Sequence, residues 1–410
     1  MISLNMVVMA VFFQSITRCE GESIGADAVS LLALIQLAID RAQVFLYLPQ
    51  PRHGQRKKKL DHRFMELDSE QRREYIDLTE TFQAWREASE HLAHYAGGMH
   101  WKTVGGRAYL IRTLNSRGRQ ESLGPRSEEN ERRYTAFHEG KERAKARVHS
   151  LREALQHRAR VARAQGLGRV PEPVARVMRA FDHHPQLKAR MRVIGTHALY
   201  AYEAMAGVHL EPGMVATRDV DWMWDNRLTL SVPDLSNEGV LGLLQKKDQS
   251  FARAEHRRFA AINKDGLMVE LLSPMASPPH KTVQRSVGTE DDRETADLEG
   301  LSWLVSSPRV EAIAVDLKGY PVEIPTIDPR AFALHKLWVA DRPDRDPYKR
   351  KRDVEQAGVV GRIVSRYLPG HPMDPGAAEL SGIPGRLRER LTELHGAQED
   401  DPDFPFEPPP

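Results

Sequence analysis

Apolar residues recur at three- and four-residue intervals between Asp68 and Tyr95, at Tyr75, Leu78, Phe82, Trp85 and Leu92. That period predicts a helix with one buried side, ended by Gly97-Gly98. From Trp101 to Gly124 the pattern changes. Tyr109 and Ile111 alternate, Arg117-Gly118-Arg119 reads as a turn, and two or three short strands are expected. Helical spacing returns over 141–165, with Ala144, Val148, Leu151, Leu155 and Ala162 inside and arginines outside. The run Gly168 to Pro173 breaks it. Beyond lie a helix Val174–Phe181, a strand Met191–Ile194 entering Gly195-Thr196, a helix His197–Ala206 and a strand Met214–Trp224. Further strands are expected at Leu267–Leu272, Arg309–Leu317 and Pro321–Ile324, with helices from Pro329 onward. This order predicts an α+β chain: a mixed sheet with flanking helices, preceded by a helical and short-strand region and followed by helices.

Composition narrows the classes. The 410 residues suffice for more than one core. The expected divisions are an extension at 1–64, a helical region with a hairpin at 65–170, a core at 186–328, C-terminal helices at 329–398 and a tail at 399–410. The tail combines acid and proline, the composition of a disordered segment. The apolar run Met1–Phe13 has no preceding Lys or Arg and no convincing cleavage site, which argues against a secretory signal. Asp40 and Arg41 interrupt the apolar run 28–48, so no membrane span is expected. Met65 opens an ordinary helical sequence and is an alternative start. With 59 Lys+Arg against 57 Asp+Glu the net charge is +2, which excludes a globally basic coat and leaves local basic faces open. One cysteine, Cys19, excludes an intrachain disulfide and a Cys-based zinc site, and points to a reducing cytoplasm.

The candidate chemistry lies in Thr217-Arg218-Asp219-Val220-Asp221-Trp222-Met223-Trp224. On an extended strand Asp219 and Asp221 share one face, while Val220, Trp222 and Trp224 occupy the other. Two carboxylates on one face repel, and a divalent cation between them relieves the repulsion. Gly195-Thr196, where a strand feeds a helix, offers backbone N–H groups and a hydroxyl to phosphate oxygens. Glu270 interrupts the apolar strand Leu267–Leu272. It needs a partner if buried, or else it faces water on an edge strand. His91, His94 and His100 straddle a helix end, as metal ligands or as ordinary surface histidines.

Ile194-Gly195-Thr196, Asp219-Val220-Asp221 and Glu270 together resemble the signature of the nucleotidyltransferase superfamily that includes DNA polymerase beta, aminoglycoside nucleotidyltransferases and minimal toxin–antitoxin nucleotidyltransferases. More narrowly, Gly195-Thr196-His197-Ala198-Leu199-Tyr200-Ala201-Tyr202-Glu203, Ala216-Thr217-Arg218-Asp219-Val220-Asp221 and Phe332-Ala333-Leu334-His335-Lys336-Leu337 resemble a bacterial family of stand-alone nucleotidyltransferase-fold proteins. The likeness runs from about Gly105 to Gln356. It departs from the superfamily where Gly195-Thr196 replaces Gly-Gly or Gly-Ser, and where Glu270 replaces an Asp. The late Lys-Asp pair of related proteins becomes Lys349-Arg350-Lys351-Arg352-Asp353.

The resemblance implies Mg²⁺ held by Asp219, Asp221 and Glu270, a nucleoside triphosphate (ATP or another NTP) against Gly195 and Thr196, and positive charge from Lys336, with Lys349 or Arg352 as further candidates. Transfer of a nucleoside monophosphate to an RNA, protein or small-molecule acceptor follows. The alternative is a nucleotidyltransferase-fold module without catalysis, binding nucleic acid or regulating a partner, in the manner of a toxin–antitoxin component. From Lys141 through Arg169 nine Lys/Arg stand against Glu142 and Glu153, so helix 141–165 is either a solvated exterior or a dock for a polyanion.

Overall fold

A computed structural model of the chain describes residues 64–114, 118–182, 184–225, 239–254, 257–274, 296–298 and 300–399. The expected extension, apart from Phe64, and the tail from 400 lie outside them. The first helix, α1 (Ser69–Ala93), follows β1 (Phe64–Glu66). Asp68 caps it: its carboxylate accepts from Gln71 N at 2.8 Å, while the Gln71 side chain accepts from Asp68 N at 3.0 Å. All three strands of the expected short-strand region form: β2 (Gly98–Val104), β3 (Arg107–Thr113) and β4 (Gln120–Pro125) make an antiparallel sheet. Gly105 and Gly106, both at positive φ, make the two-residue turn between β2 and β3.

The helix expected over 141–165 is the second half of a longer one, α2 (Glu128–Ala164). Its 37 residues extend about 55 Å. The assigned inner residues Ala144, Val148, Leu151, Leu155 and Ala162 are buried. Leu155 and Ala162 pack with Leu78 and Phe82 of α1, so each helix stabilises the other by covering its apolar stripe. The last turns of α2 rest on the tip of a hairpin of the central sheet, at Gly319. Any side chain at Gly319 would overlap the Ala159 carbonyl, and its φ of 89° also requires glycine.

After α3 (Glu172–Arg179) and α4 (Pro185–Lys188) come β5 (Met191–Val193), α5 (Leu199–Ala206), β6 (Val208–Leu210), α6 (Pro212–Val215) and β7 (Asp219–Trp224). Then follow α7 (Gly239–Lys247), β8 (Ala252–Ala254), β9 (Arg257–Ile262), β10 (Met268–Pro274), β11 (Ala296–Leu298) and α8 (Leu301–Leu304). The hairpin β12 (Arg309–Val315) and β13 (Pro321–Ile327) leads into α9 (Pro329–Ala340), α10 (Pro347–Tyr367), α11 (Gly385–Arg388) and α12 (Arg390–Glu399). The central sheet has the order β12-β13-β5-β7-β10-β9-β8, with β11 beside β10. Its pairs are mixed: β13–β5 and β7–β10 are parallel, β5–β7 and β10–β9 antiparallel. The class is α+β, as the pattern of elements implied.

Two local expectations change. Strand β7 starts at Asp219 rather than Met214, because Pro212 takes the first position of a helical turn that its fixed φ favours. Strand β10 lies between β7 and β9 and is therefore no edge, so Glu270, which is half-buried, stands on the face of a central strand and not on an edge. The C-terminal helices share the sheet's core, since Phe332, Val359, Val360 and Ile363 are buried in one cluster with Val220, Trp222 and Val269. Asp-Pro opens both α9 and α10. Asp328 accepts from Arg330 N at 2.8 Å and Asp346 from Tyr348 N at 2.9 Å, with Pro next inside each helix. Among the described residues no helix is long and apolar enough to cross a membrane.

Candidate active site

The turn after β5 brings the glycine and the acids together. Ile194 N donates to the Asp221 carbonyl at 3.1 Å, so β5 and β7 are paired up to the turn. At Gly195 a methyl group would overlap the Asp221 carboxylate. Its φ of −86° suits any residue, so space and not conformation demands glycine here. Gly195→Ala is expected to fold, to push the Asp221 carboxylate aside and to slow the transfer that the resemblance implies by about 100-fold, the scale of a 1 Å misplacement. The check is the transfer rate beside an unchanged circular dichroism spectrum; an unchanged rate would separate the turn from the chemistry.

Thr196 enters a single 3₁₀ turn, Thr196–Ala198, ahead of α5. Its hydroxyl is buried and accepts from Gln356 Nε2 at 3.4 Å. His197, 1% exposed, approaches the Asp219 carbonyl with Nδ1 at 3.1 Å. Burial pushes its imidazole down to about 4, against the pull of that hydrogen bond and with a smaller push from Arg352, so the ring is neutral at ordinary pH.

The alternation expected for β7 holds around the acids. Val220 and Trp222 are buried in the core, whereas Asp219 and Asp221 face the other way with partial exposure. Parallel pairing sets Glu270 of β10 directly opposite Asp221, and Met268 opposite Asp219. Adjacent strands lie about 4.8 Å apart, so Glu270 and Asp221 are cross-strand neighbours. Burial and then the Glu270 charge raise Asp221 to about 7, with a further push from Asp219; Lys336 and Arg345 pull the other way. Glu270, Asp219, Lys336 and Arg345 therefore all lie close enough to Asp221 to act on its charge. Among the described residues no three His, Cys, Asp or Glu side chains make a ready metal cage, at the acids or at His91, His94 and His100.

Lys336 of α9 extends its Nζ to within 2.9 Å of Asp353 Oδ1. Arg345, in the loop between α9 and α10, donates from Nε to Asp353 Oδ2 at 2.8 Å and from Nη2 at 2.5 Å. Asp353 is 2% exposed and thus orders both cations beside the acids. The other basic candidates have other roles. Arg352 donates to the Ala216 carbonyl at 2.5 Å and bonds Met214, so it braces the approach to β7, and Lys349 lies exposed on the first turn of α10.

Gln356 supports the same segment, donating to the Met214 carbonyl at 2.8 Å. Arg345, His197 and Gln356 escape the sequence reading. Arg345 sits in a polar loop whose only local signal is the Asp-Pro cap after it, His197 lies in the 3₁₀ turn before α5, and Gln356 occupies an ordinary helical position.

The sequence profile of a family described as "Nucleotidyltransferase" matches residues 172–379, half of the chain, and takes in the turn, the acids and both cations. The chain belongs to this nucleotidyltransferase family. It is a nucleotidyltransferase in which the matched region runs from α3 to the segment after α10, while α1, β2–β4 and α2 precede it. Among solved structures it is similar to an antigenic nucleotidyltransferase-like protein from Paracoccidioides brasiliensis, at 14% identity and a TM-score of 0.30, covering 56% of this chain and 94% of that one. No curated protein matches the chain.

Proposed function

We propose that this nucleotidyltransferase is Mg²⁺-dependent, moves a nucleoside monophosphate from an NTP to an acceptor hydroxyl, and belongs to the wider superfamily that includes DNA polymerase beta. The observation that carries the reading is the register of β7 and β10, which sets Glu270 against Asp221 on the face that also receives Gly195, Lys336 and Arg345. Mg²⁺ is ordinarily held by one or two carboxylates and completes its shell with water and substrate phosphates, so a carboxylate pair without a full protein cage fits it. The raised Asp221 fits too, because a dication offsets the repulsion that holds its proton.

In this reading Asp219 and Asp221 hold the ion. When bound, it neutralises charge on the triphosphate. Glu270 either completes a second ion position or takes the acceptor's proton. Lys336 and Arg345, ordered by Asp353, face the charge that builds on the transferred and departing phosphates. Gly195, by lacking a side chain, leaves the Asp221 carboxylate its place beside the turn.

The test is incubation of the full chain with each α-labelled NTP, Mg²⁺ and cell lysate, beside the Asp219→Ala/Asp221→Ala variant. Label on a lysate component with the native chain alone supports the reading. Absence of label and of NTP binding in both proteins removes it.

A further inference from the structure

The family match leaves α1, β2–β4 and α2 without a role, and α2 carries the most lopsided charge on that arm. Over 141–164 eight Lys/Arg face two acids, Glu142 and Glu153. At 3.6 residues per turn, Lys145, His149, Arg152, Arg160 and Arg163 fall in one sector about 80° wide and about 27 Å long. All five are exposed, and they flank a buried face, centred about 100° round the helix, made by Ala144, Val148, Leu151, Leu155, Ala159 and Ala162.

The two halves of α2 treat their cations differently. Toward the N-terminal end, Arg132, Arg133 and Arg143 each pair with the glutamate four residues earlier, at Glu128, Glu129 and Glu139. That is how a solvated helix stabilises itself. In the second half the inward Arg158 is matched to Glu74 at 2.9 Å and Asp77 at 3.0 Å on α1. Lys145 and His149 meet Glu142 and Glu153. Arg152, Arg160 and Arg163 make no side-chain hydrogen bond or ion pair among the described residues.

We propose that this outer flank of α2 docks a nucleic acid by its phosphates and so holds the acceptor of the transfer. The word acceptor rests on the transferase reading; the docking does not. A nucleic acid fits better than a protein, because 141–164 contains no Trp, Tyr or Phe to serve as the buried anchors on which protein interfaces depend. A stripe of about 27 Å spans roughly eight phosphates of one strand at the helical rise of a duplex. Three exposed arginines then displace counterions along it.

The experiment is fluorescence anisotropy of the full chain with a labelled RNA hairpin bearing a single-stranded 3′ end and with a DNA hairpin of the same sequence, at low and physiological salt. The expected result is salt-sensitive binding that Asp219→Ala/Asp221→Ala leaves unchanged and that Arg152→Glu/Arg160→Glu/Arg163→Glu weakens at least roughly tenfold. The slope of log K against log salt should fall by about three in the reversed variant. Arg152→Gln/Arg160→Gln/Arg163→Gln, checked for retained helicity, should give the same direction if the reversed chain misfolds. Tighter binding of RNA names RNA as the source of the phosphates, and equal binding names the backbone in general. Equal affinity of native and glutamine-substituted chains, no binding to either hairpin at low salt, or full competition by poly-glutamate overturns the proposal. Retained binding without any nucleotidyl transfer overturns the transferase reading alone.

Discussion

Asp221→Asn is expected to abolish nucleotidyl transfer and, in the absence of divalent cations, to make the folded chain more stable. The first effect follows from removing a charge that would hold Mg²⁺ at the reacting phosphates. Such stabilisation amounts to several kcal/mol, and about 4 kcal/mol corresponds to a loss of about 1,000-fold. The second follows from the present cost of Asp221. Burial, Glu270 and Asp219 raise it from 3.8 to about 7. Below pH 3.8 both folded and unfolded chains hold the proton. Between 3.8 and 7 the unfolded chain releases it while the folded chain keeps it, so the native protein loses stability as pH rises. Above 7 the full penalty applies, on the order of 4 kcal/mol. An amide escapes that penalty. Urea unfolding without divalent cations should give the variant a higher midpoint at pH 8, with the gap closing at pH 4. Retained transfer, or a midpoint at pH 8 below the native one, would contradict the assigned place of Asp221.

The largest loss of stability is expected from Asp328→Ala. Asp328 is 1% exposed; its Oδ1 accepts from Arg330 Nε at 3.0 Å and its Oδ2 from Arg330 Nη2 at 2.8 Å, while His371 Nδ1 lies 3.2 Å from that same Oδ2. Arg330, also 1% exposed, reaches on to the Pro372 carbonyl at 2.9 Å. Removing the carboxylate leaves the buried guanidinium with Glu379, at 3.0 Å, as its remaining anion and strips the α9 cap, at a cost of about 3 kcal/mol. Burial alone would raise Asp328, but hydrogen bonds from His371 and Arg330 outweigh it and hold it at about 2. Here the pH dependence runs opposite to that of Asp221. The contribution is complete above pH 3.8 and is lost as pH falls toward 2, where the folded chain finally takes the proton; it amounts to about 2 kcal/mol. The native chain should therefore lose about 2 kcal/mol of its advantage over Asp328→Ala between pH 4 and 2, as read by circular dichroism in urea. A gap independent of pH across that range would separate the carboxylate's charge from its stabilising role.

Local physics was legible along much of the chain. The three-four spacing located α1 and the second half of α2, because a helix must bury one stripe whatever it packs against. The alternation at Asp219-Val220-Asp221-Trp222 put the acids on one face and the core residues on the other, because strand geometry has period two. The strand expected from Met214 begins only at Asp219, because Pro212 opens a turn of helix; a proline's fixed φ suits both a break before a strand and a first helical position, so the local sequence does not choose between them.

The identity of the acidic pair, its shared face and the glycine turn were thus determined by the sequence alone, since each depends on dihedral preference and period within a few residues. That Glu270 stands beside Asp221, that Gly195 must lack a side chain there, and that Arg345 meets Lys336 on Asp353 was decided only in the tertiary structure. Strand neighbours are chosen by the burial of the whole sheet, and the place of a loop arginine by the helices on either side of it; neither leaves a mark on the residues next in sequence.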